Sequence, residues 1–117
     1  MPVFMLWTSV PKVPQAFLND AIELLATRLK KPIEKVQCIV HSGQQMQMGP
    51  SSLPHQHCAF SVLRSIGALS HEENRGHSKA LSELVKQHLN VEPDRFYIEF
   101  NDMQATHVGV GGKTRAD

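Results

Sequence analysis

Hydrophobic residues are distributed along the chain in two patterns, one typical of helices and one typical of strands. Apolar residues at three- and four-residue steps are typical of amphipathic helices, and they predict one helix over Gln15–Lys30 and another that ends near Leu89. Ser70 and Glu73 have the spacing of a capping box, which marks the start of the second helix. Short apolar runs predict four strands, at Val3–Thr8, Val36–Ser42, Cys58–Ile66 and Arg95–Phe100.

These elements follow the order of two successive βαβ units. We therefore predict an α/β (α+β) fold in which two repeats, about 2–42 and about 58–100, form a four-stranded sheet with both helices on one face. The segment Gly43–His57 lacks periodicity and is predicted to be a loop, and a polar tail (about 101–117) completes a single domain of residues 1–117. The uncovered sheet face is apolar, so we expect the protein to self-associate.

Composition and charge argue against several classes of function. Twelve Lys and Arg against eleven Asp and Glu give a net charge of +1, which provides no field for nucleic acid or an acidic membrane surface. No apolar run approaches the roughly 20 residues that span a bilayer, and Met1–Trp7 has no basic leader or cleavage site. We expect a protein that is cytoplasmic, or secreted without a signal peptide, with Cys38 and Cys58 as reduced thiols.

Pro2 is the first candidate for a catalytic residue. A small second residue generally permits removal of Met1, and this would turn the proline nitrogen into a free secondary amine. An α-amino group has an ordinary pKa of about 7.7–8.0, and burial lowers that pKa, so Pro2 would suit general base catalysis near neutral pH. Met-Pro is also a common start in unrelated proteins, so the dipeptide alone does not establish this chemistry.

Lys31 and Tyr97 are candidate binding residues that also have simple structural interpretations. Lys31 follows the first predicted helix, where it is either a cation for a substrate carboxylate or a solvated charge favourable to the helix dipole. Tyr97 alternates with Phe96 and Ile98 on a predicted strand, where packing is the more common role.

A metal site is suggested by the sequence His-x-His-Cys, formed by His55, His57 and Cys58. Only three candidate ligands are clustered there, and no second pair occurs at the spacing of a zinc site. We interpret the segment as a polar loop and expect neither a metal nor a cofactor.

Several short motifs in the chain are individually weak signals, but their order and spacing together are specific. They are Met1-Pro2, Lys31-Pro32, Ser65-Ile66-Gly67, Asn74-Arg75 with His77-Ser78, Asp94-Arg95-Phe96-Tyr97-Ile98, and Asp102-Met103 with His107-Val108-Gly109. In this order and spacing, from Pro2 to about Thr114, the chain resembles the macrophage migration inhibitory factor and D-dopachrome tautomerase family.

This resemblance implies a fold, an assembly and a reaction. The implied assembly is a homotrimer of βαβ repeats whose sheets form a central β-barrel, with active sites between subunits. The implied reaction is keto–enol tautomerisation of a small aromatic keto acid such as a phenylpyruvate, with Pro2 as the base and no cofactor. By the same resemblance, Lys31 binds the substrate carboxylate, the backbone amide of Ile66 contributes, Tyr97 reaches in from the neighbouring subunit, and Val108 lines the site.

Three positions depart from the family pattern. Glu99 stands where close relatives have Asn, and its carboxylate would repel an acidic substrate or raise the pKa of Pro2. Val110 replaces an aromatic residue found in many relatives, which thins the apolar rim of the pocket. Cys58 has Ser61 at the position of a second thiol, which argues against dithiol redox catalysis.

Two functions remain open at this point. The first is a tautomerase that uses Pro2, and the second is a cytokine-like ligand of a cell-surface receptor with a weak or vestigial pocket. Glu99 and Val110 favour the second, because both weaken the implied pocket. The family combines the two functions, so they do not exclude each other. A structural oligomer with neither function is a third alternative.

Overall fold

The structure is a computed structural model, and it describes residues 1–52 and 56–117. Its strands and helices follow the predicted order, with bounds as follows: β1 Pro2–Thr8, α1 Gln15–Leu29, β2 Gln37–His41, β3 Ala59–Ser65, α2 His71–Leu89, β4 Phe96–Asp102, β5 Gly109–Val110 and β6 Lys113–Thr114. Single 3-10 turns occupy Ile33–Lys35, Pro93–Arg95 and Ala105–His107.

The main sheet has the strand order β2-β1-β3-β4. Within each repeat the two strands are parallel, as expected of a βαβ unit, and β1 and β3 join the repeats in antiparallel fashion. Alternate residues of the sheet, such as Phe4 and Leu63, form one buried cluster with Phe17, Leu25 and Leu81 of the two helices. The predicted fold, with four strands and both helices on one face, is therefore confirmed.

Both helices end in the same way. Lys30 and Asn90 adopt left-handed backbone conformations, with φ of 55° and 57°, and each terminates its helix. The helices begin differently, because the predicted capping box of Ser70 and Glu73 is present at α2, whereas Pro14 gives α1 no side-chain cap.

One detail of the second half differs from the sequence-based expectation, and the short strand that Val108 and Val110 suggested in the tail is present at β5. Arg95 belongs to a 3-10 turn rather than to β4, which continues past Phe100 to Asp102. The tail contains a small hairpin in which β5 pairs with β6, because Gly111 and Gly112, with φ of 62° and 80°, form the turn between them.

The sheet face opposite the helices carries large apolar side chains. Trp7 stacks on His41 with ring centroids 5.1 Å apart and also contacts Phe60 at 5.9 Å. Tyr97, on the edge strand β4, is 63% exposed. No helix in the described part of the chain combines the length and hydropathy needed to cross a membrane.

Candidate active site

A cleft of about 120 Å³ lies where β1 begins and α1 ends. Its lining comes from both repeats and from the tail: Met1, Lys31, Pro32, Lys35, Ile66, Ala105 and Arg115. Two of the sequence-predicted site residues, Lys31 and Ile66, therefore lie at one cleft together with the residue that precedes Pro2.

Lys31 is positioned by the end of α1. Its backbone N–H donates to the carbonyl of Ala26 at 3.0 Å, and the turn this bond closes directs the side chain across the cleft. The Lys31 Nζ donates to the carbonyl of Ile66 at 3.0 Å, which links the first repeat to the second. The side chain is partly buried, so it is not the freely solvated charge that one interpretation of the sequence suggested.

The segment after β3 is fixed at its other end. Gly67 has φ of 77°, a conformation that favours glycine, and its N–H donates to Asp102 Oδ1 at 2.9 Å. The N–H of Met103 donates to the carbonyl of Ser65 at 2.7 Å. Ile66 is thus held on both sides by bonds to the end of β4.

Pro2 is the first residue of β1, and its side chain is fully buried. It pairs with Ser65, next to Ile66, which places the start of the chain at the cleft. Burial lowers the pKa of the Met1 amine, and the positive charges of Arg115, Lys31 and Lys35 lower it further. This corner of the molecule therefore favours a neutral amine.

A wider opening of about 560 Å³ continues from this cleft along the tail hairpin. Val108 lines it, as do Val110 and Glu34, while Met1, Lys35 and Arg115 belong to both spaces. Val110 is 46% exposed, so the apolar rim is thin on this side.

Tyr97 and Glu99 lie away from this cleft within the chain. Tyr97 pairs with Phe60, and Phe60 pairs with Trp7, which is five residues beyond Pro2 on β1. At roughly 3.4 Å per residue, this separation is about 17 Å along the strand. Glu99 accepts a hydrogen bond from Asn101 Nδ2 at 2.9 Å. One chain alone does not bring these two residues to the site.

The whole chain is similar in sequence to proteins of one known family. A model of the family described as macrophage migration inhibitory factor matches residues 1–116. The macrophage migration inhibitory factor of Rattus norvegicus is 38% identical over 118 residues, which cover 99% of this chain and 100% of the rat protein. The chain belongs to the macrophage migration inhibitory factor family.

Solved structures agree with this assignment. The macrophage migration inhibitory factor from Trichinella spiralis has a TM-score of 0.89 and 32% identity over 96% of this chain and 98% of its own. The protein from Oncomelania hupensis has a TM-score of 0.90 and 26% identity, covering 97% of this chain and 81% of its own. Membership of the family supports tautomerase and cytokine functions in general.

Metal binding has no support in the part of the chain that the structure describes. No group of three or more His, Cys, Asp or Glu residues is placed to hold an ion within residues 1–52 and 56–117. His57 Nδ1 lies 3.0 Å from Ser9 Oγ, and Cys58 is buried. His55, the remaining residue of the His-x-His-Cys motif, lies outside the described residues.

The two cysteines are free thiols. Burial raises the pKa of the Cys38 thiol to about 11, so this thiol stays protonated at neutral pH. A nucleophilic or redox role for Cys38 is therefore disfavoured.

Lys35 and Arg115 are the site residues that sequence reasoning did not select. Lys35 ends the 3-10 turn after Pro32, and the backbone N–H of Arg115 donates to the Val108 carbonyl at 2.8 Å. The only local signal for Arg115 was its place after a glycine pair in a polar tail, which does not specify where the side chain points.

Proposed function

We propose that the protein is a keto–enol tautomerase in which Pro2, after removal of Met1, is the general base. The observation that carries this proposal is the cleft where the start of β1 meets Lys31 and Ile66. The proposed substrate is an enolisable aromatic keto acid of the phenylpyruvate or dopachrome type. Family membership supports isomerase chemistry of this general kind.

The proposed reaction moves one proton. The neutral amine of Pro2 takes a proton from the carbon next to the keto group, and the electron pair left on that carbon forms the enolate. The protonated amine then gives this proton to the enolate oxygen, which yields the enol and restores the neutral amine, and the reverse sequence gives the keto form. Lys31 pairs with the carboxylate as a point charge, and Val108 lines the site.

We propose a homotrimer because part of the implied site is absent from a single chain. Tyr97 is about 17 Å along the sheet from the level of Pro2, so it can serve this cleft only from a neighbouring subunit. The exposed apolar face around Trp7 and Phe60, and the unpaired outer edges of β2 and β4, offer surface for such an assembly.

A tautomerase assay combined with intact mass measurement tests the proposal. We expect the purified protein to lack Met1 and to interconvert phenylpyruvate tautomers, and we expect Pro2→Gly to lose at least about a hundredfold in kcat/KM. Pro11→Gly, which removes an exposed proline from a loop, is the matched control and should retain activity. Retained activity in Pro2→Gly would rule out the proline mechanism.

A cytokine-like role is the second candidate. Glu99 and the 46% exposed Val110 favour it, because both weaken the pocket for an aryl substrate. In this role the protein binds a cell-surface receptor through the outside of the trimer. Receptor binding that persists in Pro2→Gly supports the role, and binding that disappears together with activity argues against an independent surface.

A further inference from the structure

The cleft at Pro2 contains more positive charge than the carboxylate of a simple keto acid needs. Lys31, Lys35 and Arg115 all line it, and all three lower the pKa of the Met1 amine. Lys31 already donates to the Ile66 carbonyl. Within residues 1–52 and 56–117, neither Lys35 nor Arg115 takes part in an ion pair.

The acidic groups near these cations do not neutralise the cleft. Glu34 borders only the wider opening, next to Val108 and Val110. Asp117 is two residues beyond Arg115, but its carboxylate accepts the backbone N–H of Thr114 at 2.8 Å. Glu99 is on β4, away from this cleft within the chain. In the proposed trimer the neighbouring subunit would bring Glu99 toward the site together with Tyr97, as one carboxylate against the three cations of the cleft.

Arg115 has a side chain suited to binding an anion, and its backbone is fixed beside the cleft. The backbone N–H of Arg115 donates to the Val108 carbonyl at 2.8 Å, which fixes the chain at this point, and Arg115 lines the cleft. A guanidinium is planar and binds a carboxylate through two parallel hydrogen bonds, whereas an ammonium acts as a point charge. Lys31 and Arg115 therefore provide two separate binding positions for carboxylate groups.

We infer that the site selects an enolisable keto acid that carries a second carboxylate. Lys31 holds the carboxylate next to the keto group, Arg115 binds the distal one, and Lys35 adds a further positive charge between the cleft and its opening. The inference rests on the proposed tautomerase function for its chemistry. The preference for a dianion is a property of binding and can be measured separately.

Two aliphatic keto acids provide a matched test. The dianion 2-oxoadipate and the monoanion 2-oxohexanoate have the same chain length and differ in one terminal carboxylate. In D2O, enolisation exchanges hydrogen at C3 of either acid for deuterium, because the proton passes to the base and a deuteron returns to the same carbon. The acid itself is not consumed. Dissociation constants come from calorimetry, and exchange rates at C3 come from NMR on the same samples.

We expect the dianion to bind at least about tenfold more tightly than the monoanion at low salt, and the preference to shrink at high salt. Arg115→Gln should remove most of the preference while changing monoanion binding by about twofold or less. Lys113→Gln removes the same charge from a position two residues away in the tail, and Lys113 does not line the cleft, so this variant should keep the preference.

The two proposals fail in different ways. Equal dissociation constants for the two acids, or a preference that survives in Arg115→Gln, would overturn the assignment of Arg115 even if exchange is fast. A preference for the dianion without exchange at C3 of either acid, in a protein that also fails to interconvert phenylpyruvate tautomers, would instead support the binding inference and contradict the tautomerase mechanism. Loss of the preference in Lys113→Gln as well would mean that only the overall charge of the tail matters, which also overturns the assignment.

Discussion

The two βαβ repeats place a cation at the same point and use it in opposite ways. Lys35 and Arg95 each end the 3-10 turn that precedes the second strand of their repeat. Arg95 is 8% exposed, and its guanidinium donates to the carbonyls of His57, Met48 and Gln56 at 3.1, 3.2 and 3.3 Å. Lys35 is exposed and faces the cleft at Met1.

The difference comes from the backbone that leads into the first strand of each repeat. Gln56 and His57 lead into β3 and line one pocket with Asn90 at the end of α2, and their carbonyls hold Arg95. At the corresponding place in the first repeat, Met1 lines the cleft without closing it. At the same point of the βαβ unit, the second repeat therefore has a buried arginine that binds three backbone carbonyls, and the first repeat has an exposed lysine at an open cleft.

The largest effect that tests this comparison is on stability. Arg95→Met leaves three backbone carbonyls without their charged donor, and a hydrogen bond to a charged group contributes about 1.5–3 kcal/mol. We therefore expect the free energy of unfolding to fall by about 3 kcal/mol, measured by urea denaturation at one fixed protein concentration.

Lys35→Met is the matched control, because it makes the same kind of change at the equivalent position. We expect its free energy of unfolding to stay within about 0.5 kcal/mol of the parent value, as for most exposed substitutions. Equal losses in the two variants would contradict the contrast between the repeats.

The elements of the fold were predictable because their signals are local. The period of α1, the capping box at Ser70 and Glu73, and the short strands all depend on neighbours in sequence, and the structure contains them. The strand order follows from the handedness of βαβ units together with the antiparallel pairing of β1 and β3.

The polar contacts were not predictable, because they join distant residues. His77 is one of several scattered histidines in the sequence, yet it is 1% exposed and its Nδ1 accepts from Arg28 Nε at 2.9 Å. Arg95 was assigned to a strand, and Arg115 to a polar tail. The partner that determines the role lies 7 residues away for Arg115 and 49 residues away for His77, and sequence periodicity carries no information about it.

A smaller effect is expected where the two helices begin. Ser70→Ala removes the side chain that accepts the Glu73 N–H, and loss of such a cap costs about 1 kcal/mol of the free energy of unfolding. Pro14→Ala is the control in α1, where no side-chain cap exists, and it should cost less. Equal losses of the free energy of unfolding in the two variants would show that the capping box does not stabilise α2.

The pH dependence of the same variant has a defined sign. Hydrogen bonds from Ser70 hold the pKa of Glu73 below its usual value. A carboxyl whose folded pKa is lowered stabilises the fold above its unfolded pKa, and this contribution is lost as the pH falls toward the folded value. The difference between the parent protein and Ser70→Ala should therefore shrink in acid.

The smallest effect is on the pH profile of the proposed tautomerase. Burial and the charges of Arg115, Lys31 and Lys35 lower the pKa of the amine at this corner, and we expect the Pro2 amine to experience the same cations once Met1 is removed. Lys35→Met removes one of them, so the pKa of the amine should rise. Because the base is active when neutral, the acid limb of kcat/KM for phenylpyruvate should move to higher pH, by about half a unit for a solvent-screened charge.

Lys113→Met is the control for this measurement, since Lys113 lines neither the cleft nor its opening. An acid limb that moves equally in both variants would reflect net charge alone. An acid limb that moves only in Lys35→Met, together with a loss of stability only in Arg95→Met, would mean that the cation of the first repeat acts on the amine and that the cation of the second repeat acts on the fold.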